Sequence, residues 1–118
     1  MVNKVFLLGR LTADPDLRAT PKGVHVAKLR IATNTYGGKE EDGTVKELTD
    51  FHNLVLFGRQ AELAGEYLRK GRMVFADGRL HTSTWEDAEG KRHWSTEVIV
   101  DGIQYIGARV DEPAGSAA

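Results

Sequence analysis

The sequence predicts an all-β domain, a five-stranded Greek-key barrel with one α-helix between strands 3 and 4. Three observations predict it. Apolar and polar residues alternate with period two in several segments, which marks half-buried strands. A single stretch changes to helical spacing. Clusters of Gly, Pro and Asp break the chain between these segments, as turns do. The length agrees, since 118 residues make one domain that buries roughly two-thirds of its unfolded surface. With 41% hydrophobic and 28% charged residues, a wholly disordered chain is excluded. The same string of elements also fits other small five-stranded barrels or an open α+β sheet.

Each element follows from its own residues. Val2 to Leu11 is rich in β-formers and ends in the turn Thr12 to Asp16, where Pro15 and its flanking aspartates supply turn chemistry. Pro21-Lys22-Gly23 precedes the second strand, Val24 to Tyr36. There Leu29 and Ile31 take one face, and Lys28 and Arg30 stand side by side on the other. The polar, glycine-rich stretch Gly37 to Val45 is expected as a mobile hairpin loop. Leu48 to Phe57 is the third strand. From Arg59 to Gly71, Ala61, Ala64 and Leu68 follow helical spacing, with Leu63 and Tyr67 adjoining. Arg69 and Lys70 are expected in the last turn of that helix and Gly71 just beyond it. Gly65 weakens the helix by about 1 kcal/mol relative to alanine, so packing must help hold it. Met73 to Trp85 and Arg92 to Ile106 are the last strands, joined by the acidic turn Glu86 to Gly90. The domain therefore covers residues 1–107, and 108–118, without apolar periodicity, is expected as a short flexible C-terminal stub.

Several function classes are excluded at once. The longest apolar runs, Val5 to Leu8 and Leu54 to Phe57, fall far short of the ~20 residues of a membrane-spanning helix. The N-terminus has no secretory apolar region. With no cysteine there is no disulfide, thiolate metal site or cysteine nucleophile, which suits a reducing compartment. His25, His52, His81 and His93 show no metal-ligand spacing. Asp50 and Asp77 stand without a neighbouring base, and no nucleophile elbow or phosphate-cradling loop is present. No catalytic residue, metal or cofactor is expected, and the chain is not read as an enzyme.

The net charge is only −1, but it is unevenly spread. Residues 1–36 carry a formal +4, 37–50 carry −3, 51–84 carry +2 and 85–107 return to −3. Basic strands with acidic loops would give a basic face at near-zero net charge; an ordinary surface of mixed sign fits equally. The aromatics sharpen the first reading. A sequence-tolerant binder of single strands needs flat side chains for base stacking and cations that track phosphates. Phe51, Asn53, Val55 and Phe57 share one strand face, with Phe51 and Phe57 about 20 Å apart. Trp85 sits at a polar strand end with the parity of Arg79, His81 and Ser83. Core packing is the rival reading for Phe51, Phe57 and Trp85. Trp94 fits core, subunit contact or stacking; Tyr36 is open; Phe6 and Phe75 read as structural.

The sequence resembles the bacterial single-stranded DNA-binding proteins, whose domain is the oligonucleotide/oligosaccharide-binding (OB) fold. The resemblance is carried by Asn3 to Leu11 with Asp14 to Arg18, by Val26 to Thr33, and by Phe51 to Gly58 running into Ala61-Glu62 and Glu66 to Gly71. It continues through Gly78 to Leu80, Thr82, Trp85 and Thr96 to Val98. Together these span about residues 2–106. The resemblance implies a homotetramer that wraps and protects single-stranded DNA in replication, recombination and repair, in the cytoplasm with the nucleoid. It places base stacking on Phe51, Phe57 and Trp85. A further family tryptophan falls at Gly37, where Tyr36 is the candidate substitute. Phosphate-facing cations map onto Lys4, Arg18, Arg59, Lys70 and Arg79, and strand parity adds Arg10, Lys28 and Arg30. His52 matches a subunit-interface histidine. Family members continue into a long linker and an acidic tip that recruits replication and repair proteins. This sequence stops after Asp111-Glu112-Pro113-Ala114-Gly115-Ser116-Ala117-Ala118, so recruitment through that tip is not expected. The alternative is a short primosome-like paralogue acting mainly as a protein–protein bridge in replication restart.

Overall fold

The computed structural model describes residues 1–108; the expected stub lies outside them from residue 109 onward. The elements are β1 (Val5–Leu11), β2 (Asp16–Ala19), β3 (His25–Lys39), β4 (Val45–Phe57), α1 (Arg59–Tyr67), β5 (Met73–Glu86) and β6 (Arg92–Ile106). The strands run in the order β1-β5-β6-β4-β3-β2, and a β1–β3 pairing at Arg10–Ala32 and Leu11–Ile31 closes the barrel. Five long strands thus form the closed wall, and β2 is added along β3 outside it. The β4–β6 contact is parallel, at Leu54–Val98 and Val55–Ile99, and the other pairings are antiparallel.

Alternation explains what the wall encloses. Leu29 and Ile31 of β3, Leu54 and Leu56 of β4, Val74 and Ala76 of β5 and Val98 of β6 are buried together. Burying a leucine or isoleucine stabilises by about 1.5–3 kcal/mol. Ala61, Ala64 and Leu68 close one end of this core, the residues singled out by helical spacing. Gly65 has a packing reason: a Cβ there would stand 2.6 Å from Leu17 Cδ2, so its absence lets β2 lie against the helix.

Three hairpin turns share one plan. Gly23, Gly43 and Gly90 each adopt positive φ, and each amide bonds the carbonyl three residues back, on Thr20, Glu40 and Asp87. Glycine takes that conformation without a steric penalty.

The structure departs from the sequence reading at a few boundaries. The first strand begins at Val5 rather than Val2. The stretch expected as a loop over 37–45 is shorter, because β3 runs to Lys39 and β4 starts at Val45. The helix ends at Tyr67, with Leu68 already extended. Arg69 and Lys70 therefore lie beyond its last turn. Arg69 still reaches back, donating from Nη1 to the carbonyls of Gly65 and Leu68 at 3.0 and 2.6 Å. Gly71, at φ 92°, serves the turn into β5.

Candidate nucleic-acid interface

Two hairpin arms carry the predicted aromatics together with Lys28, Arg30 and Arg79. On β3, Lys28 and Arg30 alternate with buried Leu29 and Ile31, so both cations face outward. The β3–β4 register sets Arg30 opposite Asn53 and Ala32 opposite Phe51. Directly paired residues share a face, and the Arg30 guanidinium lies over the Phe51 ring. Further along, Thr49 Oγ1 donates to Asn34 Oδ1 at 3.0 Å, and Tyr36 stands opposite Glu47 on that same face. Position 37 faces the other way, where a Cβ would meet Leu48. Tyr36 therefore presents its ring on the opposite side of the arm from residue 37.

On the second arm, Arg79, His81, Ser83 and Trp85 of β5 pair with Ile99, Glu97, Ser95 and His93 of β6. Lys28 Nζ approaches Glu97 Oε2 at 3.9 Å, which joins the outward faces of the two arms. A groove of about 370 Å³ runs here, lined by Asp14, Asp16, Lys28, Arg30, Asn53 and Glu97 among others. A neighbouring hollow of about 280 Å³ lies along Arg18, Val26 and Lys28, and Phe57 pairs opposite Val26.

Exposure decides between the rival readings of the aromatics. Phe51, Phe57 and Trp85 are 53%, 48% and 50% exposed, so none is a core residue of this protomer. Tyr36 is more exposed still. Trp94 is 64% exposed, which removes the core reading for it, and it opposes Thr84 on the other face of its arm. Phe6 stacks on Phe75 with centroids 6.3 Å apart, yet it too is largely exposed.

The eight predicted cations differ in how they are held. Lys4 lies 2.6 Å from Asp77 and 3.5 Å from Asp101, and the hydrogen bond to Asp77 raises its pKa above the ordinary lysine value. Arg79 approaches the same Asp101 at 4.0 Å. Arg18 pairs with Asp16, and Arg59 with Glu62. The Arg59 hydrogen bond is the main reason the Glu62 carboxyl lies below its usual range, and His25, at 2.8 Å, adds to it. Arg10 donates to the Gly71 carbonyl at 3.1 Å. Among the described residues, Arg10, Arg30 and Lys70 are in no ion pair. Exposed pairs contribute only about 0–1 kcal/mol, so a polyanion can compete for these cations.

His52 has the parity of Leu54 and Leu56 but lies beyond the buried core toward the arm, half-buried, and its Nε2 lies 2.9 Å from Thr33 Oγ1. Among the described residues no His, Cys, Asp or Glu group is arranged to hold a metal, and no helix is long and apolar enough to cross a membrane.

Sequence reasoning placed Asn53 on the Phe51 face without giving it a role, and did not single out Glu97 or His93 as parts of this surface. For His93 a signal was present. Asp87 and Gly90 stand three apart, as the shared turn plan requires, and that turn sets Glu86 opposite Arg92 and Trp85 opposite His93.

A closed five-stranded barrel with exposed aromatic rings and cations on adjoining hairpins defines an OB-fold protein of the nucleic-acid-binding class. The comparisons narrow the class. The model of the Single-strand binding protein family matches residues 2–106, and the chain belongs to that family. A Plasmodium falciparum SSB solved in complex with ssDNA is similar over 91% of this chain and 97% of its own, at 30% identity and TM-score 0.82. Wild-type single-stranded DNA binding protein from Thermus aquaticus is 38% identical over 92% of this chain, at TM-score 0.74. A deletion mutant of the Thermus aquaticus protein gives 37% identity over 92% of this chain, at TM-score 0.77. The chain spans about half the length of these Thermus chains, 52% in each case.

Proposed function

We infer that this protein binds single-stranded DNA without reading its sequence and protects it during replication, recombination and repair. The observation that carries this is the shared outward face of the two arms, where half-exposed Phe51 stands against Arg30, Lys28 reaches Glu97 across to the second arm, and half-exposed Trp85 lies further out along that arm. Membership in the Single-strand binding protein family and the likeness to an SSB–ssDNA complex support it. Bases stack on Phe51, Phe57, Trp85 and Tyr36. Phosphates are tracked by Lys28 and Arg30 in the groove, with Lys4, Arg10, Arg18, Arg59, Lys70 and Arg79 extending the path. The role is one of binding rather than catalysis, in the cytoplasm with the nucleoid.

The protein works as a homo-oligomer, a tetramer on the family pattern. Phe6 and Leu8 project from β1 into solvent, 64% and 54% exposed, which supports a second copy covering that strand. His52 is assigned to a subunit contact.

Fluorescence titration with a thymidine homopolymer tests the binding reading. Trp85→Ala is expected to weaken binding by about 1–3 kcal/mol while the circular dichroism stays that of the wild type. Equal affinity would remove Trp85 from the site. Molar mass in solution, with and without a long single strand, tests the tetramer.

A further inference from the structure

We propose that His93 is the positioning residue for Trp85, holding the indole flat so that its open face is ready for a nucleobase. The inference rests on the single-strand reading given above and adds a residue to it. Trp85 and His93 are directly opposed across the β5–β6 ladder, and their rings stack with centroids 5.6 Å apart at 22°. Residues so opposed stand on one face of the sheet. The imidazole therefore overlaps part of one face of the indole in an offset stack, while Trp85 as a whole stays 50% exposed.

The imidazole is itself held. Its Nε2 lies 2.7 Å from Asp87 Oδ2. The other oxygen of that carboxylate accepts the backbone N–H groups of Glu89 and Lys91, both at 2.9 Å. One side chain thus ties the hairpin turn to the ring beneath Trp85. At Trp85 the arm is two strands wide, since β5 leaves β1 at Gly78 and β6 leaves β4 at Val98. A ring that must be ordered by its ligand costs about 0.5–1.5 kcal/mol of binding, or about two- to twelvefold in affinity. A ring already ordered avoids that loss. A nucleobase landing on the open face would complete a three-layer stack of base, indole and imidazole.

The test uses the Trp94→Phe protein, in which Trp85 is the single indole, since the chain has two tryptophans. His93→Ala and His93→Phe are made in that background. Thermal melts establish that each variant is folded. Time-resolved fluorescence anisotropy then reads the local motion of Trp85 without DNA, and titration with a thymidine homopolymer reads affinity. The expected result is faster local depolarisation and about three- to tenfold weaker binding for His93→Ala. His93→Phe, which restores a flat ring without the imidazole's proton chemistry, is expected to recover both. Unchanged anisotropy and affinity in His93→Ala would overturn the proposal, as would failure of phenylalanine to rescue. If neither the wild-type nor the Trp94→Phe protein binds the oligonucleotide while the anisotropy still depends on residue 93, the DNA reading fails and the binding role of His93 falls with it. If it binds equally with histidine or alanine at 93, the role of His93 alone is overturned.

Discussion

The guanidinium carbon of Arg30 lies 4.6 Å from the centroid of the Phe51 ring, although 21 positions separate the two residues in sequence. The pair combines the two demands of a single-strand binder, a flat ring and a phosphate-seeking cation, in one unit. Phe51→Ala is expected to weaken homopolymer binding by about 1–3 kcal/mol. Because Arg30 is oriented by the ring, Arg30→Ala and Phe51→Ala should be less than additive, with a coupling of about 0.5–1 kcal/mol. A double-mutant cycle measured by titration checks this; strict additivity would show that the two act separately.

Lys28 and Glu97 predict opposite effects. On the proposed reading the lysine neutralises phosphate, so Lys28→Ala should weaken binding and flatten the log–log salt slope by about 0.7. Glu97 carries a negative charge into the same groove, only 20% exposed at its side chain. Glu97→Gln removes that repulsion and is expected to tighten binding several-fold at fixed salt. A Glu97→Gln protein that binds more weakly would show that the carboxylate is needed to hold Lys28 in place.

Gly78 marks the tightest approach in the barrel wall. A Cβ there would stand 2.1 Å from the Ile99 carbonyl oxygen and 2.9 Å from its carbon, next to the bulge at Asp77 and Gly78. Both are backbone atoms and cannot swing aside. Gly78→Ala should cost about 2–3 kcal/mol of stability, read from urea unfolding. A loss below about 0.5 kcal/mol, the range of an ordinary surface change, would mean that the wall relaxes there.

Asp87 predicts a pH dependence. The His93 hydrogen bond, then the Lys91 and Glu89 amides, hold its carboxyl below the ordinary value of 3.8. A carboxyl depressed on folding stabilises fully above its unfolded value and loses that contribution as pH falls through its folded value. Asp87→Asn should therefore lower the melting temperature at pH 6, and the gap to wild type should close as pH falls below the carboxylate range. A gap unchanged down to pH 3 would rule out the ionised carboxylate as its source.

Much of this architecture was legible from residue order alone. The alternation of Leu29 and Ile31 with Lys28 and Arg30 gives both a core face and a cationic face, because strand geometry converts parity into direction. Ala61, Ala64 and Leu68 mark the buried helix face for the same kind of reason. β2 was not legible, since all four of its residues are exposed and no apolar face repeats along it. The helix end was misplaced because Arg69 serves the terminal carbonyls from outside the helix rather than from its last turn. The ion pairs of Lys4 with Asp77 and Asp101 join residues more than 70 positions apart, a distance that only the closed sheet removes. The stacking of His93 on Trp85 depends on hairpin register, which is set by the conformation at Gly90 rather than by composition.

Along the arms burial ends at Ile31 on β3 and Gly78 on β5 and begins at Leu54 on β4 and Val98 on β6, and both arms run out beyond these residues. Amide hydrogens at Ile31, Leu54 and Val74 should accordingly exchange with solvent deuterium only when the whole domain opens. Those at Tyr36, Glu47 and Trp85 need only the arm tips to fray. The surface proposed to meet a ligand is thus the surface with the least of its own structure to lose, so occupancy by a strand would be recorded first as slowed exchange in the arms.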